Sequence, residues 1–143
     1  MKKRITAFIL IAVMAVTCCV LATGCGREKA EEPARGDENT ITILISIDYP
    51  KKSGKPTLKN IKFNVEKDST VLQATELYAN VSEIDCLVNT STNEITSIDT
   101  VGNGDYGKHN VWMYRINDGS VKTDASATVV KDGDSLTWVY EKK

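Results

Sequence analysis

The 143-residue chain has a single histidine, His109, only three prolines, and aromatic side chains at 6% of its positions. Of its four cysteines, Cys18, Cys19 and Cys25 fall in the first 25 residues, which leaves Cys86 alone in the rest. These shortages exclude several classes of protein. One cysteine cannot close an internal disulfide, so stability must come from packing. A zinc site draws on several His or Cys ligands, and one imidazole does not supply them. No Gly-x-Ser-x-Gly elbow and no P-loop is present, and the lone histidine has no Ser or Cys nucleophile beside it in sequence. Carboxylates are plentiful but scattered over expected turns, without an apolar pocket to raise a pKa. The chain reads as a non-enzyme.

What is present starts with a leader. Lys2, Lys3 and Arg4 precede an uncharged run from Ile5 to Gly24, which ends in Leu21-Ala22-Thr23-Gly24-Cys25. This resembles the lipobox of bacterial lipoproteins, where the signal is cut before a cysteine that then carries lipid. It differs in having Ala22, not a leucine, three places before the cysteine. The resemblance implies a signal peptide over residues 1–24, lipidation at Cys25, and a domain held on the extracytoplasmic face of a bacterial cell membrane. A run of about 20 apolar residues is also long enough to be an uncleaved transmembrane anchor, and length alone does not separate the two. Either way, the remainder lies outside the cytoplasm.

Removing residues 1–24 leaves 15 Lys and Arg against 19 Asp and Glu, a balance of −4. A weakly acidic chain argues against nucleic acid as a partner, because phosphate binding needs clustered Lys and Arg. Residues 25–39, with GREKAEEPARGDEN after the cysteine, are charged and offer almost nothing to bury, so they read as a disordered tether. The folded domain is expected over residues 40–143.

From Thr40 to Asp48 the isoleucines at 41, 43, 45 and 47 alternate with Thr42, Leu44 and Ser46, the period of a half-buried strand. A Pro- and Gly-containing turn over 49–56 leads to a second strand from Leu58 to Val65, making a hairpin. Asp68-Ser69-Thr70 offers N-cap side chains before a helix carrying Val71, Leu72, Thr75, Leu77, Tyr78 and Ala79 at helical spacing. Short strands are expected at 84–88, 94–98 and 111–116, then a turn at Asn117-Asp118-Gly119 and a last strand at 136–140. Cys86, within Ile84-Asp85-Cys86-Leu87-Val88, reads as a small buried apolar residue with no activating base nearby. Two strands, a helix and then several strands predict an α+β fold, a β-grasp-like mixed sheet with one helix packed on one face.

Five segments in this order, ITILISI (41–47), DSTVLQATELY (68–78), ITSIDTVG (95–102), VWMYRIND (111–118) and VKDGDSLTWVY (130–140), resemble the transcobalamin-like C-terminal domain of bacterial surface lipoproteins. The likeness covers about residues 40–141. That family's pattern runs from a "stVLdAL"-type helix through "vtsIdgv" and "gWmYrvNG" to "dGD.i.W.Y". Here Lys108-His109-Asn110-Val111 stands where a glycine usually precedes the Trp, and Asn117-Asp118-Gly119 has one residue more than the usual Asn-Gly. The resemblance implies a β-grasp-like fold and, by analogy with vertebrate cobalamin carriers, a face for a corrinoid such as cobalamin. In those carriers the small β domain closes over a ligand held by a helical domain, and the element pattern over residues 40–143 predicts no helical domain here.

Strand geometry puts Trp112, Tyr114 and Ile116 on one face and Val111, Met113 and Arg115 on the other. Leu136, Trp138 and Tyr140 likewise share a face. Two readings of Trp112 follow: a core residue, or part of an edge platform where Tyr106, His109, Trp112 and Arg115 hold a flat ligand. Asp99, Asn103 and Asp105 in one Gly-containing loop could also offer oxygens to a calcium-like ion, although the later bidentate Glu of an EF-hand is missing. Such residues equally serve turns. The resulting expectation is a lipid-anchored ligand-binding module for corrinoid capture or hand-off beside a transporter. The alternative is a cell-surface protein-interaction or adhesion module.

Overall fold

The computed structural model describes residues 38–120 and 122–143; the leader, the Cys25 lipidation site and all but the end of the tether lie outside the described residues. The elements are β1 (Thr40–Asp48), β2 (Leu58–Glu66), helix α1 (Val71–Val81), β3 (Cys86–Asn89), β4 (Glu94–Ile98), β5 (Val101–Gly102), β6 (Asn110–Ile116) and β7 (Ser135–Lys142). Among these residues no helix is long and apolar enough to cross a membrane.

The larger sheet has the order β2-β1-β7-β6. Its outer pairs are antiparallel, while β1 and β7, the first and last strands, run parallel at its centre. With α1 packed on one face, this is an α+β, β-grasp-like arrangement. The later strands do not all join one sheet, however. β3, β4 and β5 form a separate three-stranded antiparallel sheet. Period-2 patterning marks a strand but does not name its partner, so the division is invisible in the sequence.

The strand pattern becomes a core through register. Ile43, Ile45 and Ile47 are buried to 1% exposure or less. Ile45 lies between Ile61 of β2 and Leu136 of β7, and Ile47 lies beside Trp138, which in turn pairs with Tyr114 of β6. Each such aliphatic side chain stabilises the fold by roughly 1.5–3 kcal/mol. The faces of β6 fall as strand geometry predicts, with Trp112 and Tyr114 inward.

Helix α1 begins at a capping box. The Gln73 N–H donates to Thr70 Oγ1 at 3.2 Å, and the Thr70 N–H donates to Gln73 Oε1 at 2.9 Å. Its buried residues are Val71, Ala74, Thr75, Tyr78 and Ala79. That stripe follows the i, i+3, i+4 rule and passes Leu77 by, which is 42% exposed rather than in the core. The helix is keyed to the sheet at two points. Trp138 Nε1–H donates to Thr75 Oγ1 at 3.0 Å, and Phe63 meets Tyr78 edge-on with ring centroids 5.2 Å apart.

Between β6 and β7 the chain is irregular, yet it is tied down by isolated bridges from Lys122 to Tyr114, Asp124 to Glu94 and Val129 to Thr70. Ala125 and Val130 are buried there. Cys86, on β3, is half-buried; burial, with the Glu76 charge adding, pushes its thiol up to about 11. The thiol is neutral near pH 7, which suits a packing role.

Candidate functional site

The loop joining the two sheets is built outward from a tight turn. Ile98 of β4 pairs with Val101 of β5, and the two residues between them, Asp99 and Thr100, have φ of 47° and 67°. Two consecutive left-handed residues closing a two-residue hairpin are the mark of a type I′ turn. From Gly102 the chain folds back on itself. The Gly102 N–H donates to Asp105 Oδ2 at 2.7 Å, the Gly104 N–H to the Asn110 carbonyl at 2.9 Å, and the Asn110 N–H to the Gly107 carbonyl at 2.7 Å. Gly107, at φ 152°, lies so close to Asn110 that a Cβ there would stand 2.9 Å from Asn110 Cγ. The loop is therefore a compact knot rather than a free excursion.

An aromatic cluster anchors this knot. Trp112 is 1% exposed, its Nε1–H donates to the Val101 carbonyl at 2.7 Å, and its backbone N–H donates to Asn103 Oδ1 at 2.8 Å. Tyr49 and Tyr140 meet its ring edge-on at 5.7 Å and 5.3 Å. Tyr140 Oη donates to the Gly102 carbonyl at 2.9 Å and accepts from the Tyr106 N–H at 3.3 Å. One tryptophan and one tyrosine thus tie β6, β7, β5 and the loop together. Of the two readings of Trp112, the structure favours the core one.

Tyr49 adds an unusual feature. It is buried, and among the described residues its hydroxyl has no hydrogen-bond partner. Burial, and then the nearby Asp99 carboxylate, hold its pKa above the ordinary tyrosine value.

The sequence-derived site residues part company here. Tyr106 is half-buried, its ring centroid 6.4 Å from that of Tyr140, and His109 is exposed on the same loop, its carbonyl accepting from the Lys143 N–H at 3.0 Å. These two share the loop. Arg115 does not: it is paired with Thr137, near the far end of β6 and on the face opposite Trp112. Its guanidinium reaches back along the strand to Glu141, which pairs with Val111, at 3.4 Å, and among the described residues its buried Nε has no partner. Arg115 is thus held by Glu141 on the face opposite Trp112, away from the core anchor of the loop.

The three candidate metal oxygens serve three separate protein partners. Asp99 Oδ2 pairs with Lys55 Nζ at 2.9 Å, Asn103 Oδ1 accepts from Trp112, and Asp105 Oδ2 accepts from Gly102. Each oxygen is thus engaged by a different group of the protein. Among the described residues, no three His, Cys, Asp or Glu side chains come together as a metal-holding group.

Two features escaped sequence reasoning. Gly102, Gly104 and Gly107 have Gly-x-Gly-x-x-Gly spacing, the dinucleotide fingerprint. In that fingerprint the glycines open a helix whose N-terminus receives phosphate. Here they link strand β5 to strand β6, so the spacing is coincidental. The second feature is an open groove of about 700 Å³ at the opposite edge of the main sheet, lined by Thr42, Lys62, Phe63, Asn64, Leu77 and Val81. Six lysines (51, 52, 55, 59, 62 and 67) against Glu66 alone across residues 51–67 were the available signal. The acidic total concealed this local excess.

Comparison with solved structures places this fold beside known ones. A structure of haptocorrin in complex with Cbi superposes with a TM-score of 0.54 at 15% identity, over 71% of this chain and 25% of that chain. The present chain thus corresponds to about a quarter of that protein's length. A candidate metal-binding protein from Ruminococcus gnavus ATCC 29149 is similar at a TM-score of 0.49 and 19% identity, over 72% of this chain and 98% of the other. No curated protein matches the chain. The family described as "Domain of unknown function (DUF4430)" matches residues 68–142, from the cap of α1 through β7. With more than half of its length matched, the chain belongs to that family.

Proposed function

We propose that the domain is a ligand-binding module carried by a lipid on Cys25 at the outer face of a bacterial cell membrane. Its contact surface is the 103–110 loop, and its ligand is a planar corrinoid. The observation that carries this reading is the loop itself: a hydrogen-bonded knot, seated on Trp112 and Tyr140, that presents the exposed His109 and the half-buried Tyr106. Preformed sites lower the ordering cost of binding. An imidazole is also a good donor to a transition-metal centre.

The likeness to haptocorrin, crystallised with Cbi, supports the ligand class through the fold. In this reading the domain covers one side of the ligand, in hand-off with a transporter component. Binding is favoured over catalysis because the lone imidazole is exposed and the Cys86 thiol is held neutral.

The test is a titration of the full-length chain in detergent with cyanocobalamin and hydroxocobalamin, read by equilibrium dialysis and by the corrinoid's visible spectrum. Saturable binding that is lost in the Tyr106→Ala/His109→Ala double variant supports the loop as the site. A spectral shift with the hydroxo form alone, abolished by His109→Ala, identifies the imidazole as a cobalt ligand. Absence of saturable binding up to about 1 mM, a limit corresponding to about −4 kcal/mol, overturns the corrinoid reading. Lipidation is tested separately: membrane-extracted protein with an intact Met1 and no acyl mass on Cys25 refutes it.

A further inference from the structure

The β2 edge of the main sheet has the makings of a second site, independent of the loop. β2 is terminal in the order β2-β1-β7-β6 and pairs only with β1 among the described residues. Alternate backbone N–H and C=O groups of an edge strand point outward without ladder partners, a template for another strand. Lysines on an edge strand ordinarily discourage such pairing between identical chains. They do not discourage an acidic one.

The groove beside this edge adds a second observation. Its floor contains Leu77, 42% exposed, and Val81, 63% exposed, two large apolar side chains that α1 turns away from the core. Phe63, only partly buried, completes the apolar lining, and Lys62 and Asn64 form the rim. Beyond the rim, exposed Lys59 and Lys67 continue along β2 and its exit, and exposed Lys51 and Lys52 crown the β1–β2 turn. Lys55 is already engaged with Asp99. A hydrogen-bonding edge, an apolar trough and a row of ammonium groups thus run together.

We infer that β2 is the docking edge for an extended acidic peptide of a partner protein, which adds to the sheet as a fifth strand. Its backbone pairs with β2, its apolar side chains enter the groove at Phe63, Leu77 and Val81, and its carboxylates meet Lys59 and Lys62. In this mode main-chain hydrogen bonds give affinity and alternate side chains give selectivity. Charge complementarity decides the occupant: the segment 51–67 is strongly basic in a chain whose total is acidic, so a second copy of this edge is repelled. Lysine, a mobile point charge, suits carboxylates spaced along a strand without demanding bidentate geometry.

The test uses the full-length chain and a labelled peptide of about ten residues alternating valine and glutamate, a length typical of strands. Binding is followed by fluorescence anisotropy and by amide hydrogen exchange. The expected result is saturable binding, new exchange protection at β2 amides, and a roughly tenfold or greater loss in the Lys59→Glu/Lys62→Glu variant. Leu77→Ser/Val81→Ser, at exposed positions, should weaken binding with the fold retained, as checked by melting temperature. Absence of binding overturns the inference. So does equal binding of polyphosphate, or of a proline-interrupted peptide, without protection at β2; that would make the lysines a patch for polyanions in general.

Discussion

The type I′ turn at Asp99-Thr100 yields a prediction whose sign runs against the usual effect of mutation. Thr100 is β-branched, exposed, and held at φ 67°. An L-residue in the left-handed region costs about 1–2 kcal/mol, and glycine is largely free of this cost. Glycine brings a greater loss of chain entropy on folding, about 0.5–1 kcal/mol. Thr100→Gly should therefore raise stability by about 0.5–1 kcal/mol, or roughly 3–6 °C in melting temperature for a domain near 100 residues. Thr100→Ala keeps the Cβ and should gain little. The mirror experiment is Gly133→Ala, at φ 80°, where an added Cβ meets nothing within 4 Å, so any loss is conformational. By the same difference of strain and chain entropy, it should lower stability by about 0.5–1 kcal/mol. Chemical denaturation of the three variants with a common slope is the assay. A Thr100→Gly variant no more stable than Thr100→Ala would refute the reasoning and would mean that the turn is not held as described.

Three further outcomes are expected. Trp112→Phe removes the donor to the Val101 carbonyl and shrinks a fully buried ring; unfolding should cost about 2–4 kcal/mol less, with faster amide exchange at Gly102–Asn110 than in β1. Tyr49→Phe removes a buried hydroxyl without a partner and should leave stability near pH 7 equal or up to about 1 kcal/mol higher. Because the folded pKa of Tyr49 is raised, its contribution is fully present below the unfolded value near 10.0 and is lost as pH rises toward the folded one. The wild type should therefore weaken above about pH 10 more steeply than Tyr49→Phe, as seen in denaturation midpoints against pH. Native Cys86, its thiol at about 11 against an ordinary 9.0, should react with a disulfide reagent at pH 7 about a hundredfold slower than the urea-unfolded chain.

Local pattern carried much of the architecture. The isoleucine alternation of β1 is a strand because side chains repeat every two residues, whatever the strand pairs with. Thr70 and Gln73 form a capping box because both side chains reach backbone groups within three residues. The inward turn of Trp112 and Tyr114, and with it their partnership with Tyr140 and Trp138, follows from the same parity once β6 and β7 are placed. The loop carrying Tyr106 and His109 was likewise visible from its glycines and polar residues.

Partnership across the chain was decided only by the fold. The parallel junction of β1 with β7 joins residues about ninety apart, and no periodicity records which strands meet. Whether Trp112 is an exposed platform or a buried anchor depends on Tyr49, Tyr140 and Val101 arriving around it from three other segments. Arg115 shares a face with Val111, opposite Trp112, and only the fold supplies Glu141 of β7 as the partner that holds its guanidinium. Leu77 is apolar and on a helix, but only the position of β2 leaves it beside an open edge with Val81 and Lys62. Side-chain chemistry and local period are written in the chain, whereas burial is a property of what packs against it, and that belongs to the tertiary structure.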